Sequence, residues 1–127
     1  PRVRASFFDP EVALAALPKV VEGLWLNLRV MAVAAVVILA FAMLLAIART
    51  LRGPVFFPVR AAATAYVDVF RGLPLILVLL LIGFGLPGLR LQGVPRDAVV
   101  LGGVALVLTY SAYVAEVFRA GIESIHP

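Results

Sequence analysis

The sequence predicts an all-α membrane protein, built as a polytopic bundle of transmembrane helices. Of its 127 residues, 64% are hydrophobic and only 14% are charged, and the mean hydropathy is +1.12. Three stretches carry no charged side chain at all, residues 30–48, 73–86 and 98–115. Soluble domains are closer to half apolar and about a quarter charged. The composition therefore excludes a water-soluble enzyme and a disordered tail.

Residues 1–29 are predicted to form an amphipathic lead-in that lies at the membrane interface. An acid, a proline and a second acid at positions 9–11 favour a helix start. Apolar residues then recur at three- and four-residue spacing, which is typical of an amphipathic helix. We expect Pro18 to break or restart this helix and Trp25 to lie at headgroup depth.

Residues 30–127 are predicted to form the membrane-spanning domain, with spans at about 24–48, 60–87 and 98–120 of the chain. A helix needs about 20 apolar residues to cross the hydrocarbon, and the first and third uncharged stretches fit this length. The second stretch is too short at about 1.5 Å per residue, so its helix must begin near Val59 or Ala61. Arginine and lysine are nearly balanced between the two sides, which leaves the orientation undecided by charge.

The sequence lacks the combinations of residues that catalysis or metal binding needs. The chain has no cysteine and one histidine, His126, which we expect to be an isolated loop residue. Lys19, the only lysine, does not follow a glycine-rich phosphate loop. We therefore expect no catalytic residue, no metal site and no cofactor in this chain. The net charge of +4 and the pI of 10.4 point to anionic lipid headgroups as partners rather than nucleic acid.

Polar residues in the third predicted span are candidates for a substrate path. Thr109, Tyr113 and Glu116 share one helical face, and Ser111 is a fourth candidate. Polar groups in hydrocarbon are costly unless they face other helices or a water-filled path. Two interpretations stay open, a substrate path or helix–helix contacts in which Glu116 pairs with Arg119.

The second predicted span holds a further polar group near one membrane face. Asp68 and Arg71, three residues apart, form either an interfacial ion pair or a gate or subunit contact. Gly72 and Pro74 weaken the backbone hydrogen bonding, so we expect a kink that lets neighbouring helices slide past each other.

Three segments together resemble a known family. They are residues 66–75 (YVDVFRGLPL), 84–87 (FGLP) and 111–122 (SAYVAEVFRAGI). They resemble the permease subunits of bacterial ABC importers for polar amino acids, of the histidine/glutamine/arginine type, and the resemblance covers about residues 7–127. It implies the type I permease fold of five spans, of which this chain is expected to be an N-terminal three-span fragment, truncated before the coupling loop that docks onto the ATPase. It also implies an external N-terminus.

The resemblance assigns expected roles to individual residues. Arg71, Gly72 and Pro74 match the family's Arg-Gly-x-Pro element. The residues that match its Ala-Glu-x-x-Arg-x-Gly element are Tyr113, Ala115, Glu116, Arg119 and Gly121. With Asp68, these residues are expected to pack helices and transmit motion. Leu73 departs from the family pattern, where threonine is commoner.

The implied function is the translocation of a polar amino acid across the bacterial inner membrane. The expected partners are an ABC ATPase subunit that uses ATP, a second permease subunit, identical or not, an extracytoplasmic substrate-binding protein and membrane lipids. A chain without the coupling loop is expected neither to couple to ATP nor to transport. Two alternatives stay open, a permease for another small solute such as an opine or a sulfur compound, and a non-transporting membrane scaffold subunit.

Overall fold

The structure is a computed structural model that describes residues 1–125, and His126 lies outside this range. The described residues are helical and contain no strand, which confirms the all-α prediction. The elements are α1 (Arg2–Phe7), α2 (Pro10–Thr50), α3 (Phe57–Gly72), α4 (Leu75–Leu80), a π-helical turn (Leu81–Gly85), α5 (Leu86–Gly88) and α6 (Ala98–Ser124).

The N-terminal unit, Pro1–Ala32, contains α1 and the first part of α2. The Asp9 carboxylate accepts a hydrogen bond from the Glu11 backbone N–H at 3.0 Å, and this fixes the start of α2 at Pro10. Pro18 lies inside α2, so the prediction that it breaks the helix is wrong. A proline inside a helix removes one backbone hydrogen bond, and because the residues around Pro18 are exposed, the freed carbonyl remains open to solvent or headgroups.

Trp25 is 60% exposed on α2. The Arg29 guanidinium carbon lies 5.8 Å from the centre of its ring, in a cation–π contact. This pairing places a cation and an amphipathic ring on the same side of the helix, as an interfacial anchor requires.

The second unit, Val33–Pro127, has a core of small and aliphatic residues. Its buried members come from α2, α3 and α6, and they are Ala42, Leu45, Ala63, Val67, Ala112 and Ala115. Alanines at a helix contact allow the backbones to approach closely. The Tyr66 ring on α3 packs beside this core, 5.5 Å from the Phe41 ring and 4.6 Å from the Phe70 ring.

The chain turns sharply between α3 and α4. The two helical segments meet at 102°, a far larger change of direction than the expected kink. Leu73 is extended, with φ −93° and ψ 133°, because a residue before proline is disfavoured in the helical region. Pro74 then opens α4, and a π-helical turn at Leu81–Gly85 follows before α5 ends at Gly88.

Within residues 1–125, two helical stretches are long and apolar enough to cross a membrane, Arg2–Thr50 and Ala98–Ser124. The bent pair of Phe57–Gly72 and Leu75–Gly88 makes a third if it forms one span. Helix α6 begins at Ala98 because the Asp97 carboxylate caps it, accepting a hydrogen bond from the Val99 N–H at 2.8 Å. Three membrane-crossing segments remain the prediction for this part of the chain.

Candidate functional site: an ion-pair cluster that joins three helices

Glu116 on α6 lies at the centre of a cluster of charged side chains. Its Oε1 accepts a hydrogen bond from Arg119 Nη2 at 2.5 Å, and its Oε2 accepts one from Arg119 Nε at 3.3 Å. Arg49, at the end of α2, donates from Nη1 to the same Oε2. Arg119 also bonds both carboxylate oxygens of Glu123, at 2.9 and 3.0 Å. The carboxylate therefore holds the ends of α2 and α6 together.

The Arg49–Glu116 pair is mostly shielded from solvent. The Arg49 side chain is 11% exposed and that of Glu116 is 23% exposed. Charges in such a position lose hydration, and removal of one partner leaves the other uncompensated. The pair is therefore a strong constraint on the position of α2 relative to α6.

Arg71, at the end of α3, is a third arginine at the same carboxylate. Its Nη1 lies 3.9 Å from Glu116 Oε2, beyond hydrogen-bond distance, and its side chain is 43% exposed. The expected ion pair between Asp68 and Arg71 is not formed among the described residues, and Asp68 is exposed on α3. An exposed pair of this spacing contributes only about 0.2–0.5 kcal/mol, so the less exposed Glu116 is the stronger attraction for Arg71.

Tyrosine hydroxyls connect α3 and α6 at two further points. Tyr113 donates its hydroxyl to the Arg71 backbone carbonyl at 3.0 Å. This carbonyl lies in the last turn of α3, where helical carbonyls lack partners. Tyr66 donates to the Leu108 carbonyl at 2.7 Å. Helix α6 thus contacts both the backbone and the side chain of Arg71, directly before the bend.

The four substrate-path candidates fall into two groups. Tyr113 and Glu116 have their polar atoms engaged in the bonds described above. Thr109 and Ser111 are 2% and 0% exposed, and their hydroxyl oxygens have no hydrogen-bond partner among the described residues. A buried hydroxyl without a partner costs about 1–3 kcal/mol. These two hydroxyls are the only such side-chain atoms in the described part of the chain.

The motion-coupling candidates are only partly brought together. Arg71 and Arg119 lie in the cluster, and Gly72 and Pro74 form the bend next to it. Gly121 is exposed near the end of α6, where its carbonyl accepts the Ser124 hydroxyl at 2.7 Å. Residues 1–125 contain no group of three His, Cys, Asp or Glu residues that could hold a metal ion.

Three residues of the site, Arg49, Tyr66 and Glu123, were not among the sequence candidates. Arg49 follows the first uncharged stretch, and an arginine in that position is typical of a headgroup anchor, so no local signal indicates an ion pair with α6. Tyr66 opens the segment 66–75 that carries the family resemblance, so that motif was the signal available for it.

Two long apolar helices and a bent helical pair, joined by charged side chains, are typical of a helical membrane protein. The chain is 36% identical over 117 residues to the arginine transport system permease protein of Bacillus subtilis, covering 92% of this chain and 51% of that protein. It is also 36% identical over 124 residues to the glutamate/aspartate import permease protein of Escherichia coli O157:H7, covering 93% and 54%. No family model matches the chain.

The fold has a solved counterpart. A crystal structure of an amino acid ABC transporter with histidines matches with a TM-score of 0.80 and 31% identity, over 94% of this chain and 53% of that chain. The resemblance to amino acid ABC transporter permeases is therefore confirmed, and the described residues have the fold of such a permease. The chain spans about half the length of these relatives.

Proposed function

We propose that the protein containing this chain is the permease subunit of an ABC importer, which translocates a polar amino acid delivered by a substrate-binding protein. The main support is the match of fold and sequence over more than nine-tenths of the chain to amino acid permeases. The order of the three motifs and the charged cluster that joins three helices support it further.

The work of transport is divided between subunits in this proposal. This chain has no glycine-rich phosphate loop, so a partner ATPase hydrolyses ATP. A second permease subunit encloses the path, and the assembly lies in the bacterial inner membrane as a multi-pass protein. Residues 1–29 lie at the interface, and spans at about 24–48, 60–87 and 98–120 cross the bilayer.

Thr109 and Ser111 are the proposed contacts for the substrate on α6. Their hydroxyls are buried and unbonded in the described conformation, where they cost free energy. A conformation that opens α6 to a polar substrate supplies the missing partner. Glu116 and Tyr113 are proposed to position α6 instead, because their polar atoms are already bonded to arginine and to backbone.

Reconstitution of the complete permease with its ATPase and binding protein in proteoliposomes tests the function. ATP-dependent uptake from a panel of labelled amino acids is the expected result, and it requires the binding protein. Uptake of only an opine or a sulfur compound would assign the protein to the alternative solute class. A lack of ATPase stimulation by any loaded binding protein would favour the scaffold alternative.

The proposed substrate contacts need a separate comparison. Thr109→Val keeps the side-chain shape and removes the hydroxyl, and Ser111→Ala does the same at the second position. We expect both variants to be at least as stable as the wild type, since they remove an unbonded buried hydroxyl, and to take up substrate more slowly. Normal uptake in both would show that these residues only pack helices.

A further inference from the structure

The Oε2 atom of Glu116 has more arginine neighbours than it can bond at one time. Its Oε2 already accepts from Arg49 Nη1 and Arg119 Nε, and a carboxylate oxygen has two lone pairs for such bonds. Arg71 Nη1 lies 3.9 Å from the same oxygen. Arg119 lies on the same helix as Glu116 and moves with it, whereas Arg49 and Arg71 belong to different helices.

We propose that Glu116 exchanges Arg49 for Arg71 during transport, so that Arg49 and Arg71 are alternative positioning residues for α6. In the described conformation the carboxylate binds α2 through Arg49. After the exchange it binds the end of α3 through Arg71, directly before the bend. This proposal rests on the transport function proposed above.

The difference in burial between Arg49 and Arg71 indicates how the helices move during the exchange. Arg49 is 11% exposed, so it cannot lose its partner without gaining water. Arg71 is 43% exposed and moves freely into contact. The exchange therefore accompanies separation of the α2 and α6 ends and entry of water beside Arg49. Tyr113, which bonds the Arg71 carbonyl, keeps the end of α3 next to α6 in both arrangements.

Residues 1–127 contain no cysteine, so spin labels placed in this part of the chain meet no background there, and cysteines elsewhere in the transporter are replaced beforehand. In the complete transporter, labels at Ile47→Cys and Val117→Cys report the α2–α6 distance, because both native side chains are exposed. The distance distribution is measured under ATP turnover in Arg49→Gln and Arg71→Gln backgrounds.

The proposed exchange predicts opposite shifts of the α2–α6 distance in the two glutamine variants. The population with a longer α2–α6 distance rises in Arg49→Gln and falls in Arg71→Gln, by at least twofold each. The lysine variants Arg49→Lys and Arg71→Lys retain the charge and are expected to restore the wild-type distribution. Arg52→Gln is the control and should leave the distance distribution unchanged, because Arg52 is exposed between α2 and α3 and forms no ion pair within residues 1–125.

A fixed clamp gives a different pattern. If both glutamine variants lengthen the distance, or if neither changes it, the exchange is wrong. Uptake by the wild-type transporter is measured in parallel, so a failure of the proposed transport function is seen separately from a failure of the exchange.

Discussion

The charge cluster makes a quantitative prediction about how strongly two helices are coupled. Glu116→Gln leaves Arg49, which is 11% exposed, without a carboxylate. Removal of one partner from a buried ion pair costs about 3–5 kcal/mol. Because Glu116 itself is 23% exposed, solvent screening reduces this, and we expect a coupling free energy of about 2 kcal/mol between Arg49 and Glu116.

The assay is a double-mutant cycle with Arg49→Gln, Glu116→Gln and the pair, in which the free energy of unfolding is measured by titration with a denaturing detergent in mixed micelles. A second cycle with Arg71→Gln in place of Arg49→Gln measures the coupling of Arg71 to the same carboxylate, that of Glu116. At 3.9 Å and 43% exposed, its coupling to Glu116 is expected to be below about 0.5 kcal/mol. Equal couplings for the two arginines, or an Arg49 coupling near zero, would refute this reasoning.

Four further substitutions test other parts of the structure. Tyr66→Phe and Tyr113→Phe each remove one hydroxyl that donates to a backbone carbonyl. Each should lower the free energy of unfolding by about 1 kcal/mol in the same titration. Tyr113→Phe should also broaden the distance distribution between spin labels on α3 and α5. Gly102→Ala should stabilise the protein by about 0.5–1 kcal/mol, because Gly102 is helical and nothing lies within 4 Å of an added Cβ; a loss of stability would indicate a close neighbour. Asp68→Asn should change the melting temperature by less than 2 °C, roughly the effect of losing an exposed charge that forms no ion pair.

The helical class and the apolar segments follow from the sequence because composition and charge spacing alone determine them. Lipid provides no hydrogen bonds, so an apolar run of sufficient length must be helical. The start of α2 at Pro10 and of α6 at Ala98 also follows from local chemistry, since aspartate caps both. The continuity of α2 through Pro18 does not, because the cost of one lost hydrogen bond is smaller than the gain of continuing a long helix.

Contacts between distant residues account for what the sequence could not predict. Sequence spacing predicts that Arg71 pairs with Asp68, three residues before it on the same helix. In the structure Arg71 lies near Glu116 instead, which belongs to α6 and is distant in sequence. Arg49 is 67 positions from Glu116, so its ion pair requires the packed arrangement of α2 and α6. The elements of the family motifs indicated which residues to consider, but not which atoms they bond.

The sharp turn at Gly72–Pro74 gives the segment beyond it a long reach. At about 1.5 Å per residue, Leu75–Gly88 forms an arm of about 21 Å, so a change of about 10° at the turn displaces its far end by about 4 Å. That displacement is comparable to the width of a methyl group. A single phenol hydroxyl, that of Tyr113, is bonded to the pivot of this arm. Loss of one oxygen atom is therefore expected to shift the position of the loop that follows this arm, residues 89–97.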